Sequence, residues 1–207
     1  DNEEAFGLSC YKGHLDIAKW LYEIKPTIDI SAEDEFAFRI SCQEGHLDVA
    51  KWLYEIKPTI NISAQNEYAF RECCKCGHLD VAKWLYKIKH NINIDIDDIF
   101  LFSCQNGHLD VAKWLLEIKP TIDIHADDEF SFRFSCRRGH LDVAKWLYQI
   151  KPTIDISAEN EFAFRYSCKY GYLNVAKWLY EIKPTIDIIN NITNQTNQTI
   201  IKWLITI

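Results

Sequence analysis

One segment of nineteen residues recurs six times, with small changes, along this chain of 207 residues. The copy GHLDVAKWLYEIKPTINIS starts at Gly45, and close variants start at five other glycines: Gly13, Gly77, Gly107, Gly139 and Gly171. Successive glycines are 32, 32, 30, 32 and 32 residues apart. A fixed period of this size is typical of solenoids, in which each unit buries its apolar faces only against its neighbours.

Each repeat carries two helical patterns joined at the glycine. In the first pattern, DEFAFRISCQEG, Phe38 and Cys42 lie four residues apart on one face. Glu35 and Arg39 have the i,i+4 spacing of an ion pair on the exposed side, and three other repeats share it. The second pattern, HLDVAKWLYEI, is apolar around most of its circumference, so it needs cover on several sides. Pro58 ends this helix, and the alternating stretch TINI predicts a short extended connector.

The Gly-His turn between two helices resembles the ankyrin repeat. Against the family pattern T-P-L-H-x-A-A-x-x-G-H, Phe38 stands at the leucine, Arg39 at the histidine and Gly45 at the glycine. The Thr-Pro pair is absent, and each unit is one residue shorter than usual. The wealth of Ile, Asn and Lys is most similar to the ankyrin arrays of large DNA viruses of amoebae. The resemblance implies an all-α solenoid of stacked helix-turn-helix repeats with short extended connectors.

The repeat pattern continues to both ends of the chain and predicts one continuous array. We expect it to span residues 1–207, with a degenerate capping unit at 190–207. There IIKWLITI repeats the second-helix pattern, but its tryptophan follows the previous one by only 25 residues. Terminal units of solenoids are commonly atypical because they cap the stack. We expect the polar connector NNITNQTNQT to be flexible. The repeat between Gly77 and Gly107 is two residues shorter than the others, and we expect this deletion to fall in HNINIDIDD, where a change of length costs little stability.

Composition indicates the cellular compartment of the chain and the classes of partner it can bind. The formal net charge is -7 and no long apolar run is present, so we expect neither nucleic acid nor membrane as a partner. The lack of methionine suggests a segment of a longer protein. Six cysteines recur three residues before the repeat glycines, about 10 Å apart in a helical stack, too far for disulfides. They predict buried thiols in a reducing, intracellular and most simply cytoplasmic compartment: Cys10, Cys42, Cys74, Cys104, Cys136 and Cys168.

The recurring polar and aromatic residues favour structural roles over chemistry. Histidines evenly spaced along a stack do not converge on one metal ion, and the family resemblance gives the turn histidine a packing role. Cys73, Cys74, Cys76 and His78 form the one metal-like grouping, which we interpret as accidental because zinc needs four converging ligands. The tryptophan column predicts packing between units, with a base-stacking ladder as the alternative. No single acid-base pair stands out, so we expect no enzyme, no metal and no cofactor.

The residues that vary between repeats are the candidate binding site. The two positions before each glycine change most, and ankyrin arrays bind partners there, so the resemblance implies one concave binding surface. The candidates are Tyr11, Lys12, Gln43, Glu44, Lys75, Gln105, Asn106, Arg137, Arg138, Lys169 and Tyr170. Arg and Tyr are enriched at interface hot spots, so residues 137–170 are expected to form the strongest contact.

These patterns favour a monomeric module that binds a protein partner, such as a host factor if the viral resemblance holds. Two alternatives stay open at this point. A structural spacer between flanking domains would use the stack without its groove. A binder of single-stranded nucleic acid would show steep salt dependence.

Overall fold

The structure, a computed structural model, describes residues 2–89, 95–188 and 196–206. Over these residues it is all-α with no strand, as the sequence predicted. The chain falls into two compact units, residues 1–95 and residues 96–207. The helices are Asn2–Tyr11 (α1), Leu15–Ile24 (α2), Ala32–Gln43 (α3), Leu47–Ile56 (α4), Ala64–Lys75 (α5), Leu79–Ile88 (α6), Ile96–Asn106 (α7), Leu109–Ile118 (α8), Ala126–Arg137 (α9), Leu141–Ile150 (α10), Ala158–Tyr170 (α11), Leu173–Ile182 (α12) and Gln198–Leu204 (α13).

Each repeat contributes a first helix and a second helix, and the turn between them needs glycine. Gly45 has a φ of +80°, in the left-handed region that glycine adopts without a Cβ penalty. Helix α4 then begins at Leu47 and ends at Ile56, two residues before Pro58. The connector that follows closes two turns, with Ile60 N–H donating to the Lys57 carbonyl and Ala64 N–H to the Asn61 carbonyl. The sequence therefore placed both ends of the second helix correctly.

The core of each unit consists of one column from the first helices and one from the second helices. In the first unit, Phe38 and Phe70 are fully buried, together with Leu53 and Leu85. In the second unit the corresponding residues are Phe100, Phe132, Phe164, Leu115, Leu147 and Leu179. Burying one such side chain stabilises the fold by roughly 1.5–3 kcal/mol, so these columns supply much of the driving force for stacking.

The tryptophans pack between neighbouring repeats. Trp52 lies 6.2 Å from Phe6 and 6.1 Å from Tyr22, measured between ring centroids, both in the preceding repeat. In the second unit, Trp178 has the same two kinds of neighbour, Phe132 and Tyr148, at 6.1 and 6.0 Å. Packing against the preceding repeat therefore explains Trp52 and Trp178, as the sequence predicted, whereas Trp20 in the first repeat is 57% exposed.

All eight cysteines belong to the described residues, and all are free thiols. Seven are buried and Cys76 is exposed. Burial raises the pKa of the Cys10 and Cys168 thiols to about 12, and it raises the pKa of Cys42, Cys104 and Cys136 further. A thiol that stays protonated is a poor nucleophile and a poor metal ligand. The six recurring cysteines are all buried, as the sequence predicted.

The start of the first helix departs from the prediction. Glu33, Asp34 and Glu35 form three successive left-handed residues, with φ of 52°, 54° and 66°. The same run recurs at residues 65–67, 127–129 and 159–161. Each such residue costs roughly 1–2 kcal/mol relative to a right-handed one, so this turn must be held by its surroundings.

The predicted surface ion pair between Glu35 and Arg39 was wrong. Both residues are 7% exposed, and no ion pair joins them in this described part of the chain. Arg39 instead donates from Nε to the Asp34 carbonyl at 2.6 Å and from Nη2 to the Glu33 carbonyl at 3.0 Å. The Glu35 carboxylate accepts from Ser31 Oγ and from the backbone N–H of Asn61 in the next connector. The left-handed turn brings two backbone carbonyls to Arg39, while Glu35 bonds to Ser31 and to the next connector, so the two side chains have separate partners.

Two expectations fall largely on residues that the structure does not describe. Residues 90–94 of the connector HNINIDIDD and residues 190–195 of NNITNQTNQT lie outside the described ranges. Beyond them, the Asn197 side chain accepts from the Thr199 N–H and caps α13. Within the described ranges, no helix is both long enough and apolar enough to cross a bilayer.

Candidate functional site

The turn histidines fix the spacing between the ends of neighbouring first helices. A Cβ at Gly13 would come within 2.4 Å of Nδ1 of His46, so the ring lies directly on the glycine of the preceding turn. Nε2 of His46 lies 3.0 Å from the Tyr11 carbonyl oxygen. In the second unit, His140 packs on Gly107 in the same way. These contacts confirm the structural role expected for the column and explain why the variable positions beside each glycine stay aligned within a unit.

The eleven candidate residues all lie at the C-terminal ends of the first helices, but their surroundings differ between the two units. The first unit holds Tyr11, Lys12, Gln43, Glu44 and Lys75, and the second holds Gln105, Asn106, Arg137, Arg138, Lys169 and Tyr170. In the second unit, Gln105, Arg137, Arg138 and Tyr170 line one cleft of about 250 Å³ with Tyr172. The cleft brings together four of the six candidates of that unit.

Five aromatic rings extend this cleft along helices α9 and α11. We call Phe130, Phe134, Phe162, Tyr166 and Tyr170 the aromatic ladder. Successive ring centroids are 4.1, 5.3, 4.2 and 5.9 Å apart, and the first pair is stacked with an interplanar angle of 15°. None of the five is fully buried, and Tyr170 is 44% exposed. The ladder is therefore an aromatic surface and not part of the core.

Arg137 lies over this surface. Its guanidinium carbon is 5.2 Å from the centroid of Phe134, 5.1 Å from Tyr166 and 5.8 Å from Tyr170. Lys169 lies 5.8 Å from Tyr166 and 5.9 Å from Tyr170, two rings that Arg137 also contacts. Each exposed cation–π contact is worth roughly 0.5–1 kcal/mol, so the rings together hold the half-buried Arg137 in place. The second unit thus presents cations on a preorganised aromatic base.

Arg138 completes the basic edge of the cleft. Its Nη1 donates to Oδ1 of Asn106 at 2.6 Å, and its side chain is exposed. Sequence reasoning found Arg137, Arg138 and Tyr170 but missed the rest of the ladder. The signal was present: aromatic residues occupy the positions nine and five before the glycine in these last two repeats, a helical spacing on the face that Arg137 shares.

The candidates of the first unit have mostly local partners. Gln43 donates to the Glu44 carboxylate at 2.8 Å and accepts from the Tyr68 hydroxyl. Lys75 pairs with Glu72 at 2.8 Å. Lys12 lies 4.5 Å from the ring centroid of its own neighbour, Tyr11. The structure does not gather these residues into a cleft like that of the second unit.

The first unit instead has a larger groove that sequence reasoning missed. It lies between α1 and α3, has a volume of about 580 Å³, and is lined by Gly7, Leu8, Tyr11, Phe36 and Ile40. Phe36 and Ile40, two apolar residues of the first-helix pattern, face this groove. Acidic side chains from both helices and the connector also line it: Glu3, Glu4, Asp29 and Glu33. The groove is apolar at its base and acidic at its rim.

No cluster of three or more metal-ligating side chains converges anywhere in residues 2–89, 95–188 or 196–206. Cys73 and Cys74 point into the core while Cys76 is exposed, so the metal-like grouping in the sequence is dispersed in space. The pKa of Cys76 is raised, by burial first and then by the neighbouring carboxylates of Glu72 and Glu44.

Comparison with known proteins agrees with this architecture. A family model described as Ankyrin repeats (3 copies) matches residues 6–98, 40–128 and 100–192. Among solved structures, the human ASB11 ankyrin repeat domain is similar, with a TM-score of 0.63 and 14% sequence identity over 86% of this chain and 83% of that chain. At this identity the likeness shows the fold alone. No curated protein matches the sequence.

Proposed function

Because the chain belongs to the ankyrin-repeat family, whose repeats generally mediate contacts between proteins, we propose that it is a non-enzymatic module that binds a protein partner. The binding surface is the first-helix face, formed by the C-terminal parts of the first helices. The strongest contact lies in the second unit, around Arg137, Arg138 and Tyr170. The observation that carries this is the aromatic ladder with Arg137 held over it.

The chemistry of the ladder fits a protein partner. Interface hot spots are enriched in Tyr and Arg and are preorganised before binding, and both conditions hold at Arg137 and Tyr170. Exposed carboxylates at Asp127, Asp128 and Glu159 begin the same two helices. A surface with cations at one end of its helices and carboxylates at the other suits a partner of mixed charge and disfavours a continuous phosphate chain.

The experiment is a pull-down from amoeba cytosol, the host suggested by the viral resemblance, with partners identified by mass spectrometry. The variant Arg137→Ala/Arg138→Ala/Tyr170→Ala is compared with the wild-type chain. A matched control, Lys145→Ala/Lys177→Ala, removes two positive charges from exposed sites on second helices of the same unit. Circular dichroism establishes that all three proteins fold equally.

A protein captured by the wild type and the control but not by the triple variant supports the proposal. Equal capture by all three contradicts the placement of the site. A partner that is RNA or single-stranded DNA, with steep salt dependence, contradicts the protein-binding function, because about one counterion is released per phosphate neutralised. No partner for any of the proteins favours the spacer alternative.

We also propose one array, a monomeric state and an intracellular location for the chain. The six repeats form one array, and α13 caps its last unit: Trp203 lies 6.1 Å from Tyr180, and Asn197 takes the place of a turn histidine against Gly171. The chain acts as a monomer. It works inside a cell, because its recurring cysteines are free and buried, and a viral origin would make a host protein the natural class of partner.

A further inference from the structure

The groove of the first unit lies where other repeats place an arginine. Arg39 has its guanidinium carbon 4.9 Å from the ring centroid of Tyr68 in the next repeat. In the second unit, Arg133 lies 5.0 Å from the ring centroid of Phe162, again one repeat further along. Four of the six repeats carry arginine at this position, six residues before the glycine. At Arg39 and Arg133 the arginine thus lies between the first helices of neighbouring repeats, and we take this arrangement as the rule for the position.

The first repeat breaks this rule. Gly7 occupies the arginine position, and Phe36 corresponds to Tyr68, 32 residues later. Without a side chain at Gly7, the Phe36 ring is 38% exposed and forms the base of the groove. The groove volume of about 580 Å³ lies within the range of ligand clefts, roughly 300–1,000 Å³. An apolar, aromatic surface that is covered by a guanidinium elsewhere in the chain is open here.

The rim of the groove has charge opposite to that of an arginine. Glu3 is paired with Lys25 at 3.1 Å, and Asp29 lies 3.8 Å from Lys57. Glu4 and Glu33 are exposed and take part in no ion pair with any residue of the described ranges. These two carboxylates come from opposite sides of the groove, α1 and the start of α3, so a cation between them would be attracted by both.

We propose that this groove docks a basic segment of a protein partner by taking up one of its arginine side chains. The guanidinium stacks on Phe36, as Arg39 does on Tyr68, and pairs with Glu4 or Glu33. Planar stacking and a bidentate pair suit arginine better than lysine. Leu8 and Ile40 contact the aliphatic part of the segment. This site is in the first unit and shares no residue with the aromatic ladder, so it depends on the proposed function only in that the ligand is a protein.

A single substitution, Gly7→Arg, would supply the missing arginine and fill the groove. A Cβ at Gly7 would meet only the Phe36 ring, at 3.5 Å, which is ordinary van der Waals contact, and Gly7 does not have a left-handed φ. Gly7→Arg therefore places the chain's own guanidinium where the ligand's would lie. Gly7→Ala is the matched control, since it makes the same backbone change and leaves the groove open.

The test selects short random peptides, displayed on phage, against the immobilised wild-type chain. The best peptides are then synthesised with a fluorescent label and titrated by anisotropy. We expect an arginine at one fixed position of the selected peptides. We expect the selected peptide to bind Gly7→Arg at least about tenfold more weakly than the wild type. A peptide with that arginine changed to leucine should bind the wild type more weakly by the same factor, which is the size expected for one stacked and paired cation. Gly7→Ala and Arg137→Ala should bind like the wild type.

Three results would overturn this proposal: no enriched peptide, enriched peptides without a fixed arginine, or equal affinity for the wild type and Gly7→Arg. A peptide lost by Arg137→Ala would place it on the second unit, which also contradicts the proposal while leaving the proposed function intact. Equal capture of a partner by the wild type and the Arg137→Ala/Arg138→Ala/Tyr170→Ala variant would contradict the second-unit site and would not bear on this groove.

Discussion

Arg39 lies with its guanidinium carbon 4.9 Å from the centre of the Tyr68 ring, while its Nε donates to the Asp34 carbonyl at 2.6 Å. One side chain therefore contacts the next repeat and also holds the left-handed turn of its own repeat. The conformation of that turn is costly, at roughly 1–2 kcal/mol for each of three residues. Arg39 is thus a structural residue, although its spacing from Glu35 is that of a surface ion pair.

Arg39→Lys should destabilise the chain by about 1–3 kcal/mol. Lysine keeps the charge, but it cannot donate to the Glu33 and Asp34 carbonyls together or stack as a plane on Tyr68. The measurement is the free energy of unfolding from urea titration followed by circular dichroism. Arg138→Lys is the control, since Arg138 is exposed and its substitution should change stability by less than about 0.5 kcal/mol. Equal stability of Arg39→Lys and wild type would show that the turn does not need the guanidinium.

Asp34→Gly should raise stability by up to about 1 kcal/mol. Asp34 has a φ of 54°, which glycine adopts without the steric cost that an L-residue bears. Asp48→Gly is the matched control: Asp48 lies in the first turn of α4, where the same change should lower stability by about 1 kcal/mol. The two variants are compared in the same urea titration. A loss of stability in both would contradict the left-handed assignment at residue 34.

Gly45→Ala should lower stability by at least about 2 kcal/mol. Its φ of +80° is unfavourable for alanine, and the new methyl group would lie 2.4 Å from Nδ1 of His78. Gly7→Ala should instead be neutral or stabilising by up to about 1 kcal/mol, because Gly7 is inside α1 with room for a methyl group. Thermal melts and urea titration measure both. Similar losses for the two glycines would mean that the His78 contact is not what constrains Gly45.

The sequence predicted the repeated elements well because they are set by local rules. Glycine at the turn, proline after the second helix and the buried Phe and Cys columns all follow from spacing. The left-handed run was missed because it depends on backbone carbonyls that only the folded turn brings to Arg39. A signal existed, since Asp or Asn occupies the middle of each run, at Asp34, Asn66, Asp128 and Asn160. These residue types tolerate left-handed angles better than most.

The two candidate sites differ in how much of each the sequence revealed. Arg137, Arg138 and Tyr170 were recognised because they vary between repeats. The groove beside Gly7 was missed because it is created by an absent side chain, and the pattern shows a lost arginine without showing the space it leaves. Phe130 and Phe134 were missed for another reason: apolar residues on a first helix look like core until the structure places them at the surface.

His140→Tyr should reduce the loss of stability on acidification. Burial lowers the pKa of His140, and Arg138 and His108 lower it further, against opposite contributions from Asp142 and the Gln105 carbonyl. The unfolded chain therefore binds the proton more readily, so protonation favours unfolding as the pH falls through the ordinary value of 6.5. Tyrosine keeps a ring on the glycine, as Tyr172 does on Gly139, and does not titrate in this range.

The measurement for His140→Tyr is the midpoint of thermal unfolding at pH 7.5 and at pH 5.0. The wild type should lose more stability between the two pH values than the variant does. His14→Tyr is the control, because His14 has the same position in its repeat and is exposed. Equal pH dependence in wild type and His140→Tyr would show that the proton on His140 is not coupled to folding.

The most direct test of the central claim is photo-crosslinking from the first-helix face of the second unit. Benzoylphenylalanine replaces Tyr170 in one protein and Lys145, exposed on a second helix of the same unit, in the other. Both are irradiated in amoeba cytosol, and the adducts are identified by mass spectrometry. The account predicts a discrete protein adduct from position 170 and none from position 145. The same adducts from both positions, or an adduct from position 145 alone, would contradict it.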